Sequence, residues 1–461
     1  MRTIEEALEY TVVIGAAGNM GAGITLLLAQ AIAQMELEKW GEIGTGRCRL
    51  LAIDAREKGL YSLRHTIKTQ LQKWGERHIN FLRRCFARCP TLVSNEEIVR
   101  SFVEGAADNV RYATTIYEAR GARLIFEAIT EDIAAKIELF QMLNAVASSD
   151  AFYCSNTSSI PIASMAKPSG LGKRLIGFHF YNPAAHQRLV EVVIPEKNKA
   201  TSSFTRELAA RLGKQLIPSK DVAGFIGNGY LIRELAFACQ KVQELCTFLP
   251  ASAAIYLVNR VTEEMLVRPM GIFQLADYVG LNICHRIATI MSEQLADASL
   301  LLPLLSELAS EGIIGGHDEL EGYRKGFFFY KQGRASAVID PASQQYQLIE
   351  GADWLELCQS YLGVIPGDVS WKTLQKQTTS ALDRLMSHFA ALLSQKCQET
   401  FPGAALAQAF LQNLRHIADL LVGQGIAKDR ADFDAVLKIG FGHLYSPYEL
   451  WLSAPIGIRS K

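Results

Sequence analysis

A glycine-punctuated turn near the N-terminus restricts this chain more than any other feature. Residues 11–14 form a short β-branched run, Gly15-Ala16-Ala17-Gly18-Asn19-Met20-Gly21 follows, and the segment after Gly21 has helical periodicity. Strand, glycine turn, helix is how a dinucleotide-binding sheet begins. Positions without side chains let the backbone approach a pyrophosphate. The helix N-terminus then turns free N–H groups and the positive end of its dipole toward the phosphates. Gly15, Gly18, Asn19, Met20 and Gly21 are therefore expected to contact a cofactor. The loop is one residue longer than G-x-G-x-x-G, and a plain tight turn is its structural alternative.

Further strands are expected at residues 48–53, 124–129, 152–154, 174–180 and 189–193, separated by longer helical segments. That alternation implies a parallel sheet covered on both faces. Asp54 stands at the end of the second strand, where a carboxylate accepts hydrogen bonds from ribose hydroxyls, so NAD is expected over NADP. A helix-capping aspartate is the plainer reading of Asp54, and the nearby Arg56 leaves NADP open. The offset from the loop exceeds the usual ~20 residues, which an insertion within 33–49 explains. Residues 58–98 read as a helical excursion about twice the length of a plain crossover, with its basic residues on a solvated face.

A chain of 461 residues exceeds what one core organises, so two or three domains are expected. From Gly224 onward the pattern is helical, with few strand signals before residues 325–330. Residues 258–275 also align without gaps on residues 433–450, each stretch placing an aromatic two positions before a closing Leu. The expected architecture is an α/β Rossmann-like N-terminal domain (1–216) followed by all-α domains (217–340 and 341–461), the last a second copy of the one before it.

Basic and acidic side chains balance at 47 each, which argues against nucleic acid as a partner. Nine scattered cysteines suggest neither a disulfide framework nor a zinc site, and no cluster at ligand spacing calls for a metal. The acidic N-terminus does not resemble an export signal, and apolar runs such as residues 24–32 stop short of the ~18 residues a membrane span needs. A soluble protein of a reducing, cytoplasmic compartment is expected.

The chemistry concentrates in Gly177-Phe178-His179-Phe180-Tyr181-Asn182-Pro183 and Leu189-Val190-Glu191-Val192-Val193. A carboxylate flanked by β-branched residues needs a buried partner, and a histidine twelve positions earlier supplies one. Imidazole has the proton affinity to take a hydroxyl proton near neutrality as hydride leaves the carbon. Glu191 would fix its tautomer and stabilise the imidazolium. Taken alone, a histidine in such a strand is more often a satisfied core residue than a base.

The order of motifs adds to this. Gly18-Asn19-Met20-Gly21-Ala22-Gly23-Ile24, Glu127-Ala128-Ile129-Thr130-Glu131-Asp132, Ser155-Asn156-Thr157-Ser158-Ser159, the His179 and Glu191 stretches, and Lys220-Asp221-Val222-Ala223-Gly224-Phe225-Ile226-Gly227-Asn228 together resemble the 3-hydroxyacyl-CoA dehydrogenases over residues 11–281. The C-terminal segment resembles that of longer family members. The resemblance implies NAD as cofactor, an acyl-CoA substrate and a homodimer. It makes His179 the catalytic base, Glu191 its partner, Ser158 a contact to the substrate's 3-oxygen and Asn228 a residue near nicotinamide and acyl carbonyl. Glu131 and Lys136 match a cofactor-contacting pair.

Three departures stand out: Gly229 where an Arg is usual, Ile272 in place of a second proline, and the longer glycine loop. A dehydrogenase of small hydroxy acids or sugar acids, and a non-catalytic dinucleotide-binding scaffold, are the competing readings.

Overall fold

Apolar residues predominate on both faces of the central strands, so those strands must be covered on both sides. In the computed structural model, which describes residues 3–453 apart from 88, 90, 196–198, 319–321, 365, 367, 368 and 377–380, this is what forms. The chain divides into two units, Met1–Asp221 and Val222–Lys461.

The first unit is built on eight strands: β1 (Tyr10–Ile14), β2 (Arg49–Ile53), β3 (Val110–Ala113), β4 (Leu124–Glu127), β5 (Phe152–Ser155), β6 (Leu175–Phe180), β7 (Leu189–Val193) and β8 (Gln215–Ser219). They lie in the order β3-β2-β1-β4-β5-β6-β7-β8. Neighbours are parallel except β6 and β7, which pair antiparallel. The order through β6 is that of a doubly wound dinucleotide fold, with its switch point between β1 and β4. Every residue of β4, β5 and β7 is buried. The strands that sequence patterning passes over, β3 and β8, are the two edges; β8 carries Pro218, and both mix buried with exposed positions.

The helix Asn19–Trp40 leaves the glycine turn and buries residues around most of its circumference. It is long and apolar enough to cross a membrane, yet most of it is covered inside the first unit. Its 22 residues, and a loop over 41–48, account for the wide interval between the glycine turn and Asp54. Buried Glu36 ties that loop down by accepting from Gly44 N–H (3.1 Å) and Asn109 Nδ2 (2.5 Å). The helical excursion consists of Glu57–Arg77 and Ile79–Cys85, followed by Asn95–Asp108, whose N-terminus carries a Ser94–Glu97 capping box.

The second unit is helical, with a three-stranded antiparallel sheet inserted (Phe328–Lys331, Arg334–Asp340, Gln345–Leu348). Helix Gly227–Leu245 is followed by Ala251–Arg260, a π-turn at Val261–Met265, a left-handed residue at Val267 and helix Ile272–Val279. The same succession recurs 175 positions on. There it runs Pro402–Gly423, Arg430–Ala435, a π-turn at Val436–Gly440, left-handed Gly442 and helix Pro447–Ser453. Even the cap recurs: Gly271 N–H donates to Gln274 Oε1 (3.0 Å), and Ser446 N–H to Glu449 Oε2 (2.9 Å).

Candidate active site

Gly15 has φ +76°, and a Cβ there would lie 2.5 Å from the carbonyl oxygen of Ala128. At Gly21 a Cβ would lie 2.0 Å from the carbonyl oxygen of Gly15. The turn therefore closes only with glycine at both places, and Gly15 and Ala16 N–H groups anchor it to Ile53 O at 2.9 and 3.0 Å. Gly18 is the N-cap of helix Asn19–Trp40 and supplies no side-chain cap, so the first-turn N–H groups at Asn19, Met20 and Gly21 are left for another acceptor. A side-chain-free cradle under an uncapped helix start fits a dinucleotide pyrophosphate.

Asp54 closes the same cradle. Its Oδ2 accepts from Ala17 N–H (3.0 Å), and its Oδ1 accepts from Arg56 N–H (2.9 Å) and Arg56 Nε (3.2 Å). Burial pushes the carboxyl up, but the bonds from Arg56 and Ala17 outweigh it and hold Asp54 below the usual carboxylate range.

Glu131 and Lys136 are brought together, Oε2 to Nζ at 3.4 Å, and Lys136 also binds Glu127 Oε1 at 2.5 Å. Burial opposes the Lys136 charge, yet the two glutamates hold it above the ordinary range. Glu131 Oε1 accepts from Thr157 Oγ1, Ser158 N–H, Ser159 N–H and Ser159 Oγ at 2.5–3.0 Å. Burial raises its carboxyl, and Lys136 with these donors more than reverses the effect. The consequence is local order: the loop after β5, which carries Ser158, is clamped to the loop after β4.

His179 and Glu191 face each other as paired residues of the antiparallel β6–β7 ladder. His179 Nδ1 lies 3.5 Å from Glu191 Oε1, and Glu191 is fully buried. One turn of chain away, Asn156 Oδ1 accepts from Phe180 N–H at 2.9 Å, which fixes the end of β6 against the Ser158 loop. Ser155 pairs with Gly177 in parallel register, so Ser158 and His179 both emerge at the carboxyl ends of neighbouring strands, where ligands of open α/β sheets bind. Asn228 belongs to the second unit, in the first turn of helix Gly227–Leu245.

Comparison with known proteins identifies the family. Residues 51–222 match the family model for the 3-hydroxyacyl-CoA dehydrogenase NAD-binding domain, and residues 224–325 that for its C-terminal domain. A probable 3-hydroxybutyryl-CoA dehydrogenase of Deinococcus radiodurans is 31% identical over 214 residues, 46% of this chain and 75% of the relative. The chain belongs to the 3-hydroxyacyl-CoA dehydrogenase family. A probable 3-hydroxybutyryl-CoA dehydrogenase of Bacillus subtilis is 28% identical over 306 residues, 65% of this chain and 98% of its own. The structure of 3-hydroxybutyryl-CoA dehydrogenase from Escherichia coli K12 covers 96% of this chain and 90% of its own, with TM-score 0.61 at 18% identity, and so shares the fold. As a member of this family the protein is an NAD-dependent dehydrogenase with a Rossmann-like first domain.

Sequence reasoning missed Tyr181, whose hydroxyl donates to Glu191 Oε1 at 2.6 Å. The signal was a phenol hydroxyl two residues from His179 in a stretch otherwise apolar, where such a group needs an acceptor. It also missed Asn156 and Glu127, polar residues whose tasks are set by loops that only the fold brings together.

Proposed function

We propose that this dehydrogenase oxidises the 3-hydroxyl of an L-3-hydroxyacyl-CoA to the 3-ketone, reversibly, with His179 as general base. The observation that carries the reading is the His179–Glu191 pairing across β6 and β7, a histidine set against a buried carboxylate beside the cofactor end of the sheet. His179 takes the hydroxyl proton, and Glu191 holds the imidazole by Nδ1 and stabilises the imidazolium. Ser158 binds the reacting oxygen, and Asn228 orients the acyl carbonyl, as the motif match implies. Bound NAD supplies the hydride acceptor. The glycine turn and Asp54 hold its pyrophosphate and ribose, while Glu131 and Lys136 keep the Ser158 loop in place.

In this reading residues 402–453 are a second copy of 227–279, and only the first carries the asparagine: the position matching Asn228 is Gly403. The protein works as a homodimer in a reducing, cytoplasmic compartment, in keeping with nine free thiols.

The test is acetoacetyl-CoA-dependent loss of NADH absorbance. His179→Ala is expected to lower kcat by about 10³-fold or more while NADH affinity stays within about twofold. Glu191→Gln should lower it by roughly 10–100-fold. Near-normal turnover in His179→Ala, or turnover of free hydroxy acids in preference to the thioester, overturns the assignment.

A further inference from the structure

Residues two apart on a strand share a face, so Tyr181, just beyond the end of β6, falls beside His179 with Glu191 across the ladder. The rings of His179 and Tyr181 are 5.2 Å apart at 42°. Tyr181 is buried, and its hydroxyl reaches Glu191 Oε1 at 2.6 Å, the same oxygen that lies 3.5 Å from His179 Nδ1. One carboxylate oxygen therefore accepts from the phenol and faces the imidazole at ion-pair distance.

We propose that Tyr181 is a positioning residue of the proton-transfer step, holding Oε1 of Glu191 toward His179 and limiting how strongly that oxygen stabilises the imidazolium. The proposal rests on the reading of His179 as base. A hydrogen bond from phenol to carboxylate is charge-assisted and fixes the carboxylate rotamer. It also draws charge from the acceptor, so the same oxygen binds a second donor less tightly. Burial, and then the charge of Glu191, push Tyr181 well above its ordinary range, so the phenol stays a donor throughout the working pH. The hydroxyl gives up no proton in the reaction. Its effect passes entirely through Glu191.

Tyr181→Phe removes only the hydroxyl. In that variant the carboxylate turns fully to the imidazole. The ¹⁵N resonances of the His179 ring, recorded on imidazole-labelled protein without substrate, should move as the contact from Nδ1 to Glu191 Oε1 tightens. kcat for hydroxyl oxidation should change several-fold, with KM within about twofold.

Adding Tyr181→Phe to Glu191→Gln should move the resonances no further, because the negative charge through which the phenol acts is gone. Unmoved resonances in Tyr181→Phe overturn the proposal, as does an equal shift in the Glu191→Gln background. A change in Tm alone assigns Tyr181 to packing and also overturns it. The NMR readout needs no turnover, so it decides the role of Tyr181 even if His179→Ala were to retain activity and the base assignment were to fail.

Discussion

Glu131 and Glu191 belong to the same α/β unit, yet their oxygens are occupied in different ways. Glu131 takes four donors on Oε1 and a lysine near Oε2, and that lysine in turn binds buried Glu127. None of these donors changes charge near neutrality. Glu191 instead shares one oxygen between a tyrosine and an imidazole, and imidazole does change charge there. The first arrangement makes a frame that sets the Ser158 loop. The second leaves one proton free to move inside a buried setting. What separates a scaffold carboxylate from a working one here is the titration range of its partner, since both are deeply covered.

The sharpest way to break that contrast is Lys136→Met. It leaves Glu127 and Glu131 buried without their cation, and removing one member of a buried ionic cluster costs about 3–5 kcal/mol. Urea unfolding at pH 7 should register a loss of that order, with turnover falling in whatever fraction stays folded. A loss under about 1 kcal/mol would mean the hydroxyl and N–H donors suffice, and the lysine is not what makes the cluster a frame.

Asp277 sharpens the comparison from the other unit, because among the described residues it has donors and no cation. It is fully buried and accepts from Phe327 N–H (2.6 Å), Phe328 N–H (2.9 Å) and Tyr330 Oη (2.8 Å), pinning the inserted sheet to helix Ile272–Val279. Burial pushes its carboxyl up to about 7, more than those three bonds bring it down. A folded value above the unfolded one means the charged form is disfavoured in the fold. Its contribution is complete below about pH 4 and is lost as pH rises through about 7. The unfolding free energy of the wild type minus that of Asp277→Asn should therefore fall by about 2–3 kcal/mol between pH 5 and 8. A flat difference would show that N–H donors neutralise a buried carboxylate as well as a lysine does.

How much of this was legible in the sequence follows the same division. Strands β1, β2, β4, β5, β6 and β7 declared themselves through apolar runs, because a covered strand must be apolar on both faces. The edges β3 and β8 have no such obligation and gave no signal. His179 and Glu191 could be paired from spacing and setting, since a charge among β-branched residues demands a partner. Glu131 and Lys136 could be named only through the resemblance, because the donors to Glu131 come from a loop 26–28 residues on. Tyr181 was overlooked as an aromatic in an aromatic stretch, although its hydroxyl is the atom nearest Glu191 Oε1 among the described contacts. The inserted three-stranded sheet was foreshadowed only by residues 325–330, because its other strands are half exposed and mixed in character.

Asp54 completes the series as a carboxylate paired with an exposed cation. Arg56 is 67% exposed, and a pair open to water adds little to stability, so Arg56→Ala should change unfolding free energy by less than about 1 kcal/mol. Its effect should appear in cofactor choice instead. Two of the three bonds to Asp54 come from Arg56, one of them from the side chain to Oδ1. Removing that side chain relieves Oδ1 of one of its two donors, leaving room for a ribose hydroxyl, and takes away the guanidinium that would offset a 2′-phosphate. Fluorescence titrations with NADH and NADPH should show the preference for NADH rising by about tenfold in Arg56→Ala, a change of about 1.4 kcal/mol. An unchanged ratio would place the ribose away from Asp54, and would reduce the Asp54–Arg56 contact to a cap on helix Glu57–Arg77.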